Sequence, residues 1–298
     1  MDSEDFPITD AIDIAILMHR EAHFGGKFEF MIDYYEKGGK GVMPDFDLER
    51  IRQLALWERD IKQNLAALYL SGADAEKVAE SRKAYRDMRA LYEVKKASSP
   101  FPLLIADLIL SEDEEPRAEI EAIIAQKSAI VPFLIDLLRS PDFHDPLFPG
   151  YGQAPHLAVK CLGEIGDKRA IISLFEEIGE GDFFDEDAIL TALKVIGAPA
   201  KEFLLRVVKS KPLNIDNEKA AIALVTFRDD PEVAEECFKL LLDPIVRKDQ
   251  ALSTYLILAC EGLTKPDLQK QFAALSEDQT IDRTLREDIK VVAKSFDQ

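Results

Sequence analysis

Apolar residues recur at helical spacing along almost the whole chain, and over its last two thirds the pattern itself repeats. Ala158-Val159-Lys160-Cys161-Leu162-Gly163-Glu164-Ile165-Gly166-Asp167 returns 31 residues later as Ile189-Leu190-Thr191-Ala192-Leu193-Lys194-Val195-Ile196-Gly197-Ala198. It returns again as Ala220-Ala221-Ile222-Ala223-Leu224-Val225-Thr226-Phe227-Arg228-Asp229. In this register Leu162, Leu193 and Leu224 share one level, and Ile165, Ile196 and Phe227 the next. A period of this length marks a stacked array, in which each unit is too small to bury its own apolar face and must bury it against neighbours. The periodicity predicts helix pairs from about residue 102 onward. The first helices of the pairs, called A, cover 102–110, 129–139, 168–178, 199–209, 231–242 and 265–275. The second, called B, cover 116–125, 154–165, 185–196, 216–227, 246–261 and 281–296.

Residues 1–97 are patterned for helix too, but outside the repeat. Thr9 or Asp10 can cap a helix over 11–24, which Gly25-Gly26 ends. An aromatic-rich helix follows over 27–37. A long one is expected over 48–71, carrying Trp57 among Leu54, Ile61, Leu65 and Leu68, and a last one runs from about 74 to 96. The alternating charges of this last helix, among them Arg82, Lys83, Arg86, Asp87 and Arg89, suit an exposed arm. Ser98-Ser99-Pro100-Phe101-Pro102 then interrupts the pattern, because proline disfavours helix at the residue before it. The chain is expected to divide into an N-terminal helical region, 1–97, and a repeat region, 98–298.

Leu162-Gly163-Glu164-Ile165-Gly166-Asp167-Lys168-Arg169-Ala170-Ile171 resembles the turn of HEAT-like repeats, in particular the short form named after phycobilisome lyases. Val195-Ile196-Gly197-Ala198-Pro199-Ala200 is similar to a variant of it, with the glycine supplying the left-handed residue that ends a helix. The resemblance covers about 102–298. It implies an all-α fold: a right-handed superhelix of about six HEAT-like helix pairs, preceded by the N-terminal helices. It implies little about function, because such arrays serve many unrelated roles. HEAT-like hydroxylases of a lysine-derived residue bind two irons through His-Glu dipeptides, and this chain has none. Bilin-lyase-like activity rests on fold analogy alone.

The formal net charge of −19 narrows the partners. Residues 1–100 hold 15 Lys and Arg against 19 Asp and Glu, a net of −4, and residues 101–298 hold 22 against 37, a net of −15. The acidity belongs to the repeats. Such a surface repels nucleic-acid backbones, which also argues against a HEAT-like DNA glycosylase. It disfavours anionic membrane surfaces as well, and it suits basic protein partners. No apolar run reaches the length of a membrane span. The acidic start, Met1-Asp2-Ser3-Glu4-Asp5, is unlike a signal or transit peptide, so the expected location is cytoplasmic. Cys161, Cys237 and Cys260 have no metal-binding or disulfide spacing. No cofactor motif appears.

Two clusters carry candidate chemistry. His19 and His23 lie four apart on one helical face, which is half of many metal sites, and Asp13, Asp33 or Glu36 could complete a coordination sphere. They also fall on the apolar side, where histidines pack. The other cluster lies in the loops joining A to B helices, which line up along one edge of a solenoid. Residues 140–153 form an unusually long loop holding Phe143, His144, Phe148 and Tyr151, stiffened by Pro141, Pro146 and Pro149. The next such loop holds Phe183 and Phe184 between acids. Aromatics among acids suit anchors for a basic or amphipathic protein, and the exposed residues of the B helices would add a concave wall. Gly38-Gly39-Lys40-Gly41 lacks the preceding strand of a phosphate loop. The acid runs at 112–115, 229–230 and 235–236 suit helix N-termini. The sequence therefore points to a non-catalytic scaffold for a basic or amphipathic protein. A metal-dependent enzyme or metal-binding module around His19 and His23 is the alternative, and the N-terminal helices could also occlude the array.

Overall fold

The computed structural model describes residues 10–39, 44–93, 99–111, 113, 115–179 and 183–296, with the backbone alone at 183–185. These residues are all-α: seventeen α-helices joined by short 3₁₀ turns, with no strand among them. No helix among them is long and apolar enough to cross a membrane. By internal packing the chain forms two units, 1–158 and 159–298. The sequence boundary at 97/98 marks where the repeat begins, whereas packing divides the chain within the repeat region.

The first unit contains α1 (Ala11–His23), α2 (Phe28–Glu36), α3 (Leu48–Ile61), α4 (Leu65–Tyr69), α5 (Gly72–Ala90), α6 (Phe101–Leu110), α7 (Arg117–Ile124) and α8 (Val131–Leu138). Asp10 caps α1 by accepting from the Asp13 N–H at 2.9 Å. Ile16, Leu17, Met31, Ile51, Leu54 and Leu65 close a core with Phe28. The single helix expected over 48–71 is in fact two. Lys62 takes a left-handed φ of 54° and ends α3, and Asn64 caps α4 through the Ala67 N–H at 3.1 Å. The cause is Arg20, whose side chain is fully buried on α1 and needs acceptors. It donates to Glu58 Oε2 at 2.6 Å, Glu21 Oε1 at 2.7 Å and Asn64 Oδ1 at 3.1 Å, and lies over the Phe28 ring at 4.4 Å. Glu58 also accepts from the Leu65 N–H at 2.8 Å. A continuous helix would place neither Asn64 nor that N–H within this network.

In the second unit follow α10 (Ile171–Glu176), α11 (Phe183–Ile196), α12 (Ala198–Val208), α13 (Ile215–Val225), α14 (Pro231–Leu241), α15 (Gln250–Ala259), α16 (Pro266–Ala274) and α17 (Arg283–Ser295). The division between units falls inside α9 (Ala154–Ile165). These helices match the pairs expected from the repeat to within a few residues. Each B helix packs on its own A partner, and α13 also packs on α15, and α15 on α17. Leu162, Leu193 and Leu224, equivalent in the repeat, are all fully buried. Gly163 brings α9 against α11: a Cβ there would lie 2.9 Å from Ala192 Cβ and 3.0 Å from its Cα. Gly166 and Gly197 take the left-handed φ, 67° and 78°, expected of helix-ending glycines. All three cysteines are buried, and burial pushes the Cys161 and Cys237 thiols up to about 12. They are packing groups rather than nucleophiles.

Part of the acidity is spent between repeats. Lys201 on α12 binds Asp230 and Glu232 at the start of α14, each at 2.8 Å. Lys209 binds Glu236 at 2.9 Å, and Lys265 binds Glu235 at 2.8 Å. Partners stand 27–31 residues apart, close to one repeat. Asp230 also caps α14 by accepting from the Glu232 N–H at 2.9 Å. The acids at 230–236 thus cap, as expected, and also tie neighbouring A helices together.

Candidate functional site

An open surface with a shaped groove belongs to the B helices of the second unit. A groove of about 450 Å³ crosses α11, α13 and α15. Its floor is apolar: Leu190 from α11, Ile222 and Val225 from α13, and Leu258 from α15, with Tyr255 beside them. These positions lie outside the stripe that packs on the A helices, so the repeat that builds the core also sets a second apolar row facing solvent. Leu258 is 37% exposed. Glu186 and Asp187 stand at the α11 end and form no ion pair with any described residue. At the other side Lys194 faces Asp229 at 3.9 Å, and Arg228 is held by Glu261 at 3.1 Å. The cations of the groove are therefore partnered, while two of its carboxylates have no ion-pair partner among the described residues.

The long loop does not supply the row of exposed anchors expected from the sequence. Phe148 and Tyr151 are only 5% and 7% exposed. Phe148 packs with Leu147 and Val78 against Met18 and Ala22, and Ser81 Oγ donates to the Leu147 carbonyl at 2.6 Å. Lys77 forms an ion pair with Asp145. The loop is thus tied down onto α1 and α5 by one buried hydrogen bond, one ion pair and its own aromatics. Phe143 is half-buried at an apolar cleft beside Ile105, Ile109 and Phe133. His144 is exposed, with Nε2 2.8 Å from the Leu138 carbonyl, so that nitrogen carries the proton. The backbones of Phe183 and Phe184 open α11, and their side chains lie outside the described residues. Of the four described side chains, Phe148 and Tyr151 are buried, Phe143 is half-buried and His144 is exposed, so these four do not form one exposed row.

The loop turns under α1 through three successive left-handed residues, Gly150, Tyr151 and Gly152, with φ of 83°, 52° and 80°. A Cβ at Gly150 would meet Ile109 at 3.2 Å, and one at Gly152 the His144 carbonyl oxygen at 3.1 Å. Tyr151 has a Cβ and bears the cost of this conformation, which sets its ring edge-on to His23 with 4.9 Å between centroids.

His19 and His23 do stand side by side, 5.2 Å between ring centroids. Among the described residues no group of three or more His, Cys, Asp or Glu side chains converges. The carboxylates that could have joined them are engaged elsewhere: Asp13 by Arg50 at 2.7 and 2.5 Å, Asp33 by Lys37 at 2.7 Å, and Glu36 by Arg52 at 2.8 Å. The histidines instead fill an aromatic seam with Phe46, Tyr85 and Tyr151. Burial lowers His19 to a pKa of about 4, against a small opposing pull from Asp145. Burial, with His19 next to it, lowers His23 to about 3, and the Leu147 carbonyl, already bonded to Ser81, acts weakly the other way. Both rings are neutral at pH 7. No family model, no curated protein and no solved structure matches this chain.

Proposed function

We propose that this protein is a non-catalytic binding module whose helix pairs are HEAT-like repeats stacked as a right-handed superhelix. The groove over α11, α13 and α15 would receive a basic, amphipathic segment of a partner protein. The observation that carries this reading is the groove itself: an apolar floor drawn from three successive B helices, with the carboxylates of Glu186 and Asp187, unpaired among the described residues, at its edge. An amphipathic helix would lay its apolar face on Leu190, Ile222, Val225 and Leu258 and direct lysines or arginines to the acids. Affinity would come from the floor, while the charge would steer encounter and set the direction of the segment.

The test is capture from native lysate with the intact chain and with a Leu190→Asp, Leu258→Asp double variant, followed by anisotropy titration of the captured segment. Both substituted side chains reach the groove, so a matched melting curve is expected. A partner that binds the intact chain, binds the variant at least about tenfold more weakly, and weakens with salt supports the reading. A partner held equally by both would place binding elsewhere.

A further inference from the structure

A second cavity, in the first unit, has the opposite character. It measures about 420 Å³ and lies between the end of α1, Tyr34 of α2, and one face of α5. Arg82, Arg86 and Arg89 occupy positions i, i+4 and i+7 of α5, so a single helix face delivers three guanidinium groups to it. Arg82 is committed: its Nε donates to the Glu21 carbonyl and its Nη2 to Glu21 Oε2, both at 2.8 Å. Arg86 is exposed and forms no ion pair with any described residue. Arg89 lies over the Tyr85 ring at 5.8 Å, also without an ion-pair partner among them. Glu21 is shared between Arg20 and Arg82. In a chain of net charge −19 this cavity holds two cations without an ion-pair partner among the described residues.

The remaining walls are aromatic. Tyr34, Tyr85 and Tyr151 line the cavity together with His23, whose ring nitrogens have no well-formed hydrogen bond to any described residue. Tyr151 is kept there by a backbone conformation that disfavours a side chain. Guanidinium forks match the oxygens of a phosphate, and two of them balance its double charge. A bare phosphate would leave most of this volume empty, since cavities of this size suit ligands with an organic body. The tyrosine faces and edges suit a flat ring.

We propose that this cavity binds a phosphate monoester carried on an aromatic ring, with the phosphate at Arg86 and Arg89 and the ring among Tyr34, Tyr85 and Tyr151. The same chemistry occurs in free aryl phosphates and in a phosphorylated tyrosine of a protein chain. Calorimetric titration of the full chain with phenyl phosphate, inorganic phosphate and phenol is the test. Phenyl phosphate is expected to bind at least about tenfold more tightly than either fragment. An Arg86→Gln, Arg89→Gln double variant is expected to lose at least about tenfold in that affinity with an unchanged melting curve, since both arginines are exposed. A phosphotyrosine peptide binding more tightly than phenyl phosphate would identify a protein source, and weaker binding a free small molecule. No heat from phenyl phosphate at millimolar concentration, or equal binding by the double variant, would overturn the proposal.

Discussion

Arg20 shows how much one buried charge can organise. Its Nη1 and Nη2 donate to Glu58, Glu21 and Asn64, while its Nε has no hydrogen-bond partner among the described residues, and the same acceptors define where α3 ends and α4 begins. Truncating one member of a buried pair typically costs about 3–5 kcal/mol. Arg20→Met is therefore expected to lower unfolding free energy by about 3 kcal/mol in urea titration, the low end because Glu58 keeps some solvent access. The neutral histidine pair makes a separate prediction. Both folded pKa values lie below the unfolded value near 6.5, so the unfolded chain binds more protons below that point. The stabilising effect of the neutral rings is complete above about pH 6.5 and is lost as pH falls toward the folded values. Between pH 7 and pH 5 each ring should cost about 2 kcal/mol. A His19→Leu, His23→Leu variant should show a flatter pH dependence over that interval; an unchanged slope would mean other groups set it. The sequence placed both histidines on the apolar side of α1 and so showed that they could pack. It could not show that Asp13, Asp33 and Glu36 were each taken by a basic residue, because two of those three partners lie on α3.

Among the elements, the repeated helices were the most legible. Their spacing states directly which residues must be buried, and neighbouring units answer one another only one repeat away. Gly163 carries a second message, since it sets how closely α9 and α11 approach. Gly163→Ala inserts a methyl group 2.9 Å from Ala192 Cβ, where neither helix can yield without moving its neighbours. The expected loss is about 1–3 kcal/mol, measured by thermal or urea unfolding, despite alanine being the better helix former. The destination of the 140–153 loop was not legible. Its fixing bond joins Ser81 to the Leu147 carbonyl across 66 residues, and no local pattern announces a contact of that range. Aromatics among prolines and acids read equally well as anchors for a partner or as cover for a helix, and Phe148 and Tyr151 are cover. The arginine face of α5 was visible as spacing, yet alternating charge also describes any exposed helix. Only the cavity beside it separates the two meanings.

For the whole molecule, net charge misleads unless it is followed to its partners. The acids at 230–236 are bound to lysines one repeat away, so they contribute cohesion rather than an open field. Exposed pairs of this kind are each worth under about 1 kcal/mol and are screened by salt. Lys201→Met, which leaves Asp230 and Glu232 without their cation, is expected to lower stability by about 1 kcal/mol at low salt and by less in 0.5 M sodium chloride. An effect independent of salt would assign the loss to packing of the lysine stem. The division of the chain also has a practical consequence. It falls within α9, leaving residues 154–158 to one side and 159–165 to the other. Stubs of five and seven residues are far below the length at which an isolated helix persists in water. Anyone who severs the gene at that point to study the halves would obtain two fragments with frayed ends and newly bared leucines. The dissection would then report the damage rather than the parts.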